Sequence, residues 1–258
     1  MKLSVTDSHK KSIFNNFMNY FAATCGMYES HGCRYSLPDA SFVLFNSVFD
    51  TNLISQSVSN AILTMKKVYE QKKQFCWWIT DFVTPQSLRA ALEKEGFQMG
   101  HAFKGMVFDL AKTINPPKEI AHITVKSLQH KEQLMEWIKP LQIAFEIDDD
   151  SSRFCANSLA QLFADPRFKH FYVEDKGKMV GVGSLFTDKG VSGFYNLGVL
   201  PEYRKQHIAT ALKYHRLQVS QSLGSKLAIL QSSVMGQDLD QRLGFKPVFD
   251  FVPYLSPL

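Results

Sequence analysis

One stretch, Leu197–Leu212, constrains this chain more than its composition does. It begins as a short apolar strand, Leu-Gly-Val-Leu, turns at Pro201, and passes through Glu-Tyr-Arg-Lys-Gln-His into Ile-Ala-Thr-Ala-Leu, the opening of a helix. The turn is cationic through Arg204 and Lys205, and the small residues Ala209, Thr210 and Ala211 follow it. The first N–H groups of a helix have no intrahelical partner, and the helix dipole adds about half a positive charge there. Small residues let a ligand reach that backbone, so the stretch suits a phosphate or pyrophosphate.

The neighbouring segments extend the pattern. Phe168–Asp175 and Lys178–Phe186 flank an Asp-Lys-Gly turn, a hairpin signal, and Val191–Val199 is the next strand. Leu227–Ser232 is a short apolar run suited to a buried strand, and Val234–Leu243 reads as a helix stopped by Gly244. Lys246–Tyr254 supplies a closing strand.

Arg204-x-x-His207-x-Ala209 resembles the Arg/Gln-x-x-Gly-x-Gly/Ala pyrophosphate loop of the GNAT superfamily of acetyl-CoA-dependent N-acetyltransferases. His207 stands where that family usually has its first glycine. Leu239-Asp-Gln-Arg-Leu-Gly-Phe245 is similar to the family's Leu-Tyr-x-x-Leu-Gly-Phe. The resemblance runs from near Ile120 to the C-terminus, with the elements in the family's order. It implies a cofactor site formed by Leu197, Gly198 and Val199 of a bulged strand and by Arg204, Lys205, Gln206, His207, Ile208, Ala209 and Thr210 of the loop and helix start. Acetyl-CoA is the implied co-substrate, with no metal.

Composition bounds the rest. A chain of 258 residues, 45% hydrophobic, can bury one large core or two modest ones. No apolar run reaches the roughly 18–20 residues of a membrane span, and polar residues near Met1 argue against a signal peptide. Cys25, Cys33, Cys76 and Cys155 are scattered with no Cys-x-x-Cys pair, which points to reduced thiols in a cytoplasmic protein without a zinc set. A net charge of +5 is too mild for a nucleic-acid binder.

Consecutive prolines in Ala111–Ile120 mark a semi-rigid linker. The expected layout is residues 1–112 as one domain, 113–120 as linker and 121–258 as the acetyl-CoA-binding domain. The first half repeats the ending of the second. Phe75–Thr80 reads as a strand, a helix follows with Thr84 as N-cap, Pro85 at its first position and Gly96 as stop, and His101–Leu110 is a further strand. Ser8–Glu29 and Asn52–Lys72 read as helices and Ser41–Phe49 as a strand. Phe49-Asp-Thr-Asn-Leu53 offers no basic loop. The first half therefore resembles a degenerate copy, as in tandem-GNAT proteins. The implied fold is α/β (α+β): two GNAT-like domains, each a mixed, mostly antiparallel twisted sheet flanked by helices.

Acetyl transfer to an amine needs a polarised carbonyl, a neutral amine and a tolerated thiolate. Backbone N–H groups near Leu197–Val199 suit the first need. The family's tyrosine is replaced by Asp240, which reads as a solvated helix residue, a raised-pKa acid or a substrate contact. Tyr195, Tyr203 and Tyr214 are alternative proton donors, each also readable as a packing residue. The strand Val191-Ser-Gly-Phe-Tyr holds no carboxylate, so no general base is named. Family members line the acceptor site with the segment that here reads Glu146-Ile-Asp148-Asp149-Asp150. Glu146, Asp148 and Asp149 are candidates to hold a cationic amine, or else cap the helix Arg153–Ala164. The expected activity is N-acetylation of a primary amine by direct transfer in a ternary complex. The alternative is a non-catalytic acyl-CoA-binding or interaction module.

Overall fold

The computed structural model describes residues 6–49, 53–54, 57–80 and 85–258. Thr84, Asn52 and residues 50–52 of the Phe49–Leu53 loop lie outside the described residues.

The first half opens with α1 (Asp7–Cys25), whose Ile13, Phe14, Phe17, Met18, Tyr20 and Phe21 are buried on one side. The helix stops at Gly26, at φ 72°, short of the expected Glu29. A hairpin of β1 (Tyr28–Ser30) and β2 (Cys33–Tyr35) follows, then β3 (Ser47–Phe49). The strand expected over Ser41–Phe49 is thus only its last three residues. The N–H of Phe45 donates to the Phe42 carbonyl at 2.9 Å, and Asn46 Nδ2 donates to the Ala40 carbonyl at 2.9 Å. These local bonds satisfy the backbone without a ladder. Next come α2 (Val58–Val68), β4 (Cys76–Ile79), α3 (Ser87–Lys94), β5 (Gln98–Met99) and β6 (Phe103–Asp109).

The second half holds β7 (Val125–Ser127), α4 (Leu134–Trp137), α5 (Lys139–Phe145) and α6 (Asp149–Gln161). It continues with β8 (Phe168–Asp175), β9 (Lys178–Asp188), β10 (Val191–Val199), α7 (Ile208–Ser222), β11 (Leu227–Ser232), α8 (Gln237–Leu243) and β12 (Lys246–Leu255). α6 begins four residues before the expected Arg153, because the Asp148 carboxylate accepts from the Ser151 N–H at 2.9 Å and caps it there. α8 begins at Gln237, with residues 234–236 in a turn.

Among the described residues the strands form one sheet in the order β1-β2-β3-β4-β12-β6-β11-β10-β9-β8-β7, with β5 beside β12. Both halves use a parallel pair joined through a helix: β3 and β4 across α2, and β10 and β11 across α7. Each half then gives away its last strand. β6 of the first half pairs antiparallel with β11 of the second, while β12 of the second pairs antiparallel with β4 of the first. β6 and β12 also pair with each other.

The endings of α3 and α8 match. Phe97 N–H donates to the Leu92 carbonyl and Phe245 N–H to the Asp240 carbonyl, both at 3.0 Å, with Gly96 and Gly244 left-handed between them at φ 84° and 100°. This is the glycine-terminated helix cap read from both Gly-Phe pairs. It makes Leu92 the counterpart of Asp240.

Candidate active site

β10 and β11 pair only from Val191↔Leu227 to Gly193↔Ile229 and then part. On its other side β10 breaks register with β9 between Tyr195 and Gly198. Asn196 sits in that bulge at φ 53°, a left-handed conformation asparagine tolerates better than most residues. Its Nδ2 donates to Tyr20 Oη at 2.8 Å and to Ser184 Oγ at 3.2 Å, fixing the bulge from two sides. Among the described residues the β11-facing edge of β10 has no strand partner beyond Gly193, and Phe194–Leu197 line a cleft of about 180 Å³ there.

The base of that cleft is charged. Lys213 of α7 and Asp240 of α8 form an ion pair there, and Ser232 Oγ donates to the other Asp240 oxygen at 2.7 Å. Burial pulls the Lys213 ammonium below its ordinary range, opposed by Asp240. Arg216 is fully buried beside it. Its Nη1 donates to the carbonyls of Ser184 at 3.1 Å and Tyr195 at 3.3 Å, and the guanidinium lies 4.6 Å from the Phe194 ring centre. Its Nη2 is buried without a hydrogen-bond partner. Burial lowers the guanidinium to about 9, so it stays cationic at neutral pH. Asp240 is 1% exposed. This overturns its reading as a solvated helix residue.

At the outer end, Arg204, Lys205, Gln206 and His207 are exposed and lead into α7. His207 is the N-cap residue, at φ 60° and ψ 8°. That is the left-handed conformation glycine adopts without cost, which accounts for a glycine in the related loops. Ala209 and Lys213 are four apart on α7, so loop and cleft lie along one helix face. Gly198 packs against α5: a Cβ there would meet Leu141 Cδ2 and the Pro140 carbonyl oxygen, each at 2.9 Å. Leu197 lines the cleft, and Val199 is half-buried in the ladder with Gly181.

Residues 131–245 match the family described as the acetyltransferase (GNAT) family. The matched segment lies in the C-terminal half and is similar to a GNAT acetyltransferase domain. A solved GCN5-related N-acetyltransferase from Kribbella flavida is similar over 97% of this chain and 95% of its own, with TM-score 0.75 and 15% identity. Another from Sphaerobacter thermophilus covers 87% of this chain and 76% of its own, with TM-score 0.63 and 15% identity. A tandem GNAT protein from the clavulanic acid biosynthesis pathway covers 86% and 77%, with TM-score 0.58 and 13% identity. These likenesses concern the fold. No curated protein matches the chain.

The remaining candidate residues fall in separate places. Tyr195 lines the cleft but gives its hydroxyl to Asn16 Oδ1 at 2.7 Å and stacks on Tyr20 at 3.8 Å; burial pushes its pKa well up. Tyr203 donates to Asp175 at 3.0 Å, away from the cleft lining. Asp148 caps α6, Asp149 accepts from Gln142 Nε2 at 2.5 Å, and Glu146 is exposed at the end of α5. None of these three carboxylates lines either the cleft or the cavity behind it. Lys213, Arg216 and Ser232 were not legible as site residues. Their one signal is Lys213 and Arg216 interrupting the buried face that Leu212 and Leu217 define on α7. Among the described residues there is no helix long and apolar enough to cross a membrane, and no metal-type cluster of His, Cys, Asp and Glu.

Proposed function

We propose that this protein transfers an acetyl group from acetyl-CoA to a primary amine by direct attack in a ternary complex. The parting of β10 and β11 at the Asn196 bulge, above a cationic base, carries the reading. Arg204, Lys205 and the free N–H groups of Ile208, Ala209 and Thr210 bind the pyrophosphate. Backbone donors of the open β10 edge hold the thioester oxygen, an interaction worth a few kcal/mol per donor as negative charge develops. The amine nitrogen forms a bond to the acyl carbon as the carbon–sulfur bond breaks, the nitrogen sheds its proton to water, and the thiolate leaves. Lys213 and Arg216 stabilise that thiolate, and the Lys213 ammonium supplies its proton. Asp240, paired with Lys213 and hydrogen-bonded to Ser232, holds Lys213 in place. Residues 121–258 act as the cofactor-binding domain, and residues 1–112, joined by the linker 113–120, buttress it as the degenerate copy.

One observation favours a second reading, a non-catalytic acyl-CoA-binding module: among the described residues lining the cleft and the adjoining cavity, Asp240 is the sole carboxylate. Calorimetry with CoA and acetyl-CoA, followed by thiol release over an amine panel, separates the two. Binding with turnover is expected. Binding without turnover on any amine supports the module, and absence of binding removes both.

A further inference from the structure

On the opposite face of the sheet from α7, the cleft continues into a second cavity of about 200 Å³. The two spaces share Phe103, Phe145, Tyr195, Asn196 and Gln231. The second is walled by both halves: Phe17, Tyr20 and Phe21 of α1, Phe42 and Phe45 of the turn before β3, and Phe154 of α6 are among its rings. Among the described residues no Lys, Arg, Asp, Glu or His lines it. The two thiols in its wall, Cys25 and Cys155, are each pushed up to about 12 by burial and carry no charge. Three of its hydroxyls already donate: Thr24 Oγ1 to the Tyr20 carbonyl at 2.9 Å, Ser158 Oγ to the Thr24 carbonyl at 2.5 Å and Tyr195 Oη to Asn16 Oδ1 at 2.7 Å, while Tyr20 Oη accepts from Asn196. Gln231 Nε2, at the junction with the cleft, is buried without a partner.

The segment between α5 and α6 completes the argument. It turns Phe145 and Ile147 into the cavity, while Glu146, Asp148 and Asp149 stay out of its lining. An ammonium ion in such a place would lose its hydration with no carboxylate in return, whereas a neutral amine on an apolar body loses little. An apolar cavity of about 150 Å³ takes up benzene, so this one has room for one ring and a short arm.

We propose that the acceptor is an apolar primary amine of one-ring size, seated in this aromatic cavity with its nitrogen at the Asn196–Gln231 end, and not a polycation. This rests on the acetyltransferase reading above. It also answers the missing base: a wall without charge holds the amine in its neutral, nucleophilic form.

The test compares phenethylamine with spermidine as acceptors, by thiol release, after calorimetry has established acetyl-CoA binding. A kcat/KM at least 100-fold higher for phenethylamine is expected. Preference for spermidine overturns the acceptor proposal and leaves the acetyltransferase reading standing, whereas absence of acetyl-CoA binding removes both. If neither amine turns over, calorimetry of phenethylamine on the CoA-saturated protein decides, and no heat counts against the proposal. Ser158→Leu, which fills the cavity, is expected to raise the KM or Kd of phenethylamine at least tenfold while acetyl-CoA affinity changes less than twofold. Phe154→Ala, which enlarges it, is expected to shift preference toward the two-ring tryptamine. If octanoyl-CoA binds more tightly than acetyl-CoA and Ser158→Leu abolishes that gain, the cavity houses the acyl chain and the proposal fails.

Discussion

Lys213 of α7 and Asp240 of α8 meet as an ion pair with their side chains only 5% and 1% exposed. Two charges taken this far from water depend on each other, and removing one strands the other at a cost of about 3–5 kcal/mol. Asp240→Asn is therefore expected to lose stability of that order in urea denaturation. The double variant Lys213→Met/Asp240→Leu is expected to recover most of it while losing activity. A single Asp240→Asn as stable as the parent would show that the pair is not closed.

The phosphate loop makes a graded prediction. Arg204→Glu is expected to weaken CoA binding about tenfold, roughly 1.4 kcal/mol, in calorimetry. Arg89→Glu, on α3 in the other half, is expected to change it less than twofold. His207→Gly removes the left-handed strain, of order 1 kcal/mol, and should bind CoA at least as tightly as the parent. His207→Val should lower the melting temperature.

Asn196 holds the bulge by its own backbone conformation and by its donations to Tyr20 and Ser184. Asn196→Ala loses both bonds and strains a positive φ. It is expected to lower kcat at least tenfold with acetyl-CoA affinity within threefold. Asn196→Gly, which keeps the backbone freedom, should fall between the two. Equal kcat in all three proteins would detach the bulge from catalysis.

His170 supplies the pH dependence. Its Nδ1 pairs with Ser184 Oγ at 2.9 Å, its Nε2 is buried without a partner, and burial lowers it from 6.5 to about 4. Between those values the unfolded chain binds the proton and the folded one does not, so stability present above pH 6.5 is lost as the pH falls toward 4. The loss reaches about 2 kcal/mol by pH 5. Urea titrations at pH 7, 6 and 5 should show it, and His170→Asn should flatten that slope.

The C-terminal half was readable because its signals are local. The bulge strand, the cationic turn, the helix start and the Gly-Phe cap each lie within a few residues, and the turn at Asp175-Lys-Gly sets its own hairpin. Ser41–Phe49 reads as a strand because of its apolar run Phe42-Val-Leu-Phe45, but that run forms a turn that feeds Phe42, Leu44 and Phe45 into a cavity, not a ladder. The Glu146–Asp150 segment is conspicuous in sequence for its carboxylates, but in the structure Phe145 and Ile147 beside them line the cavity, and Glu146, Asp148 and Asp149 do not. Nothing local distinguishes a strand that closes its own half from one that closes the other. β6 and β12 are both apolar runs after a Gly-Phe cap, and only long-range pairing assigns them.

That pairing decides what can be taken apart. Scission anywhere in 113–120 would leave two fragments, each with a vacant lane at its parallel pair and a homeless strand at its end. Neither piece should fold by itself. Mixed, they should reassemble, and the recovered particle should melt in one step, because every route through the hydrogen-bonded ribbon crosses from one fragment to the other and back.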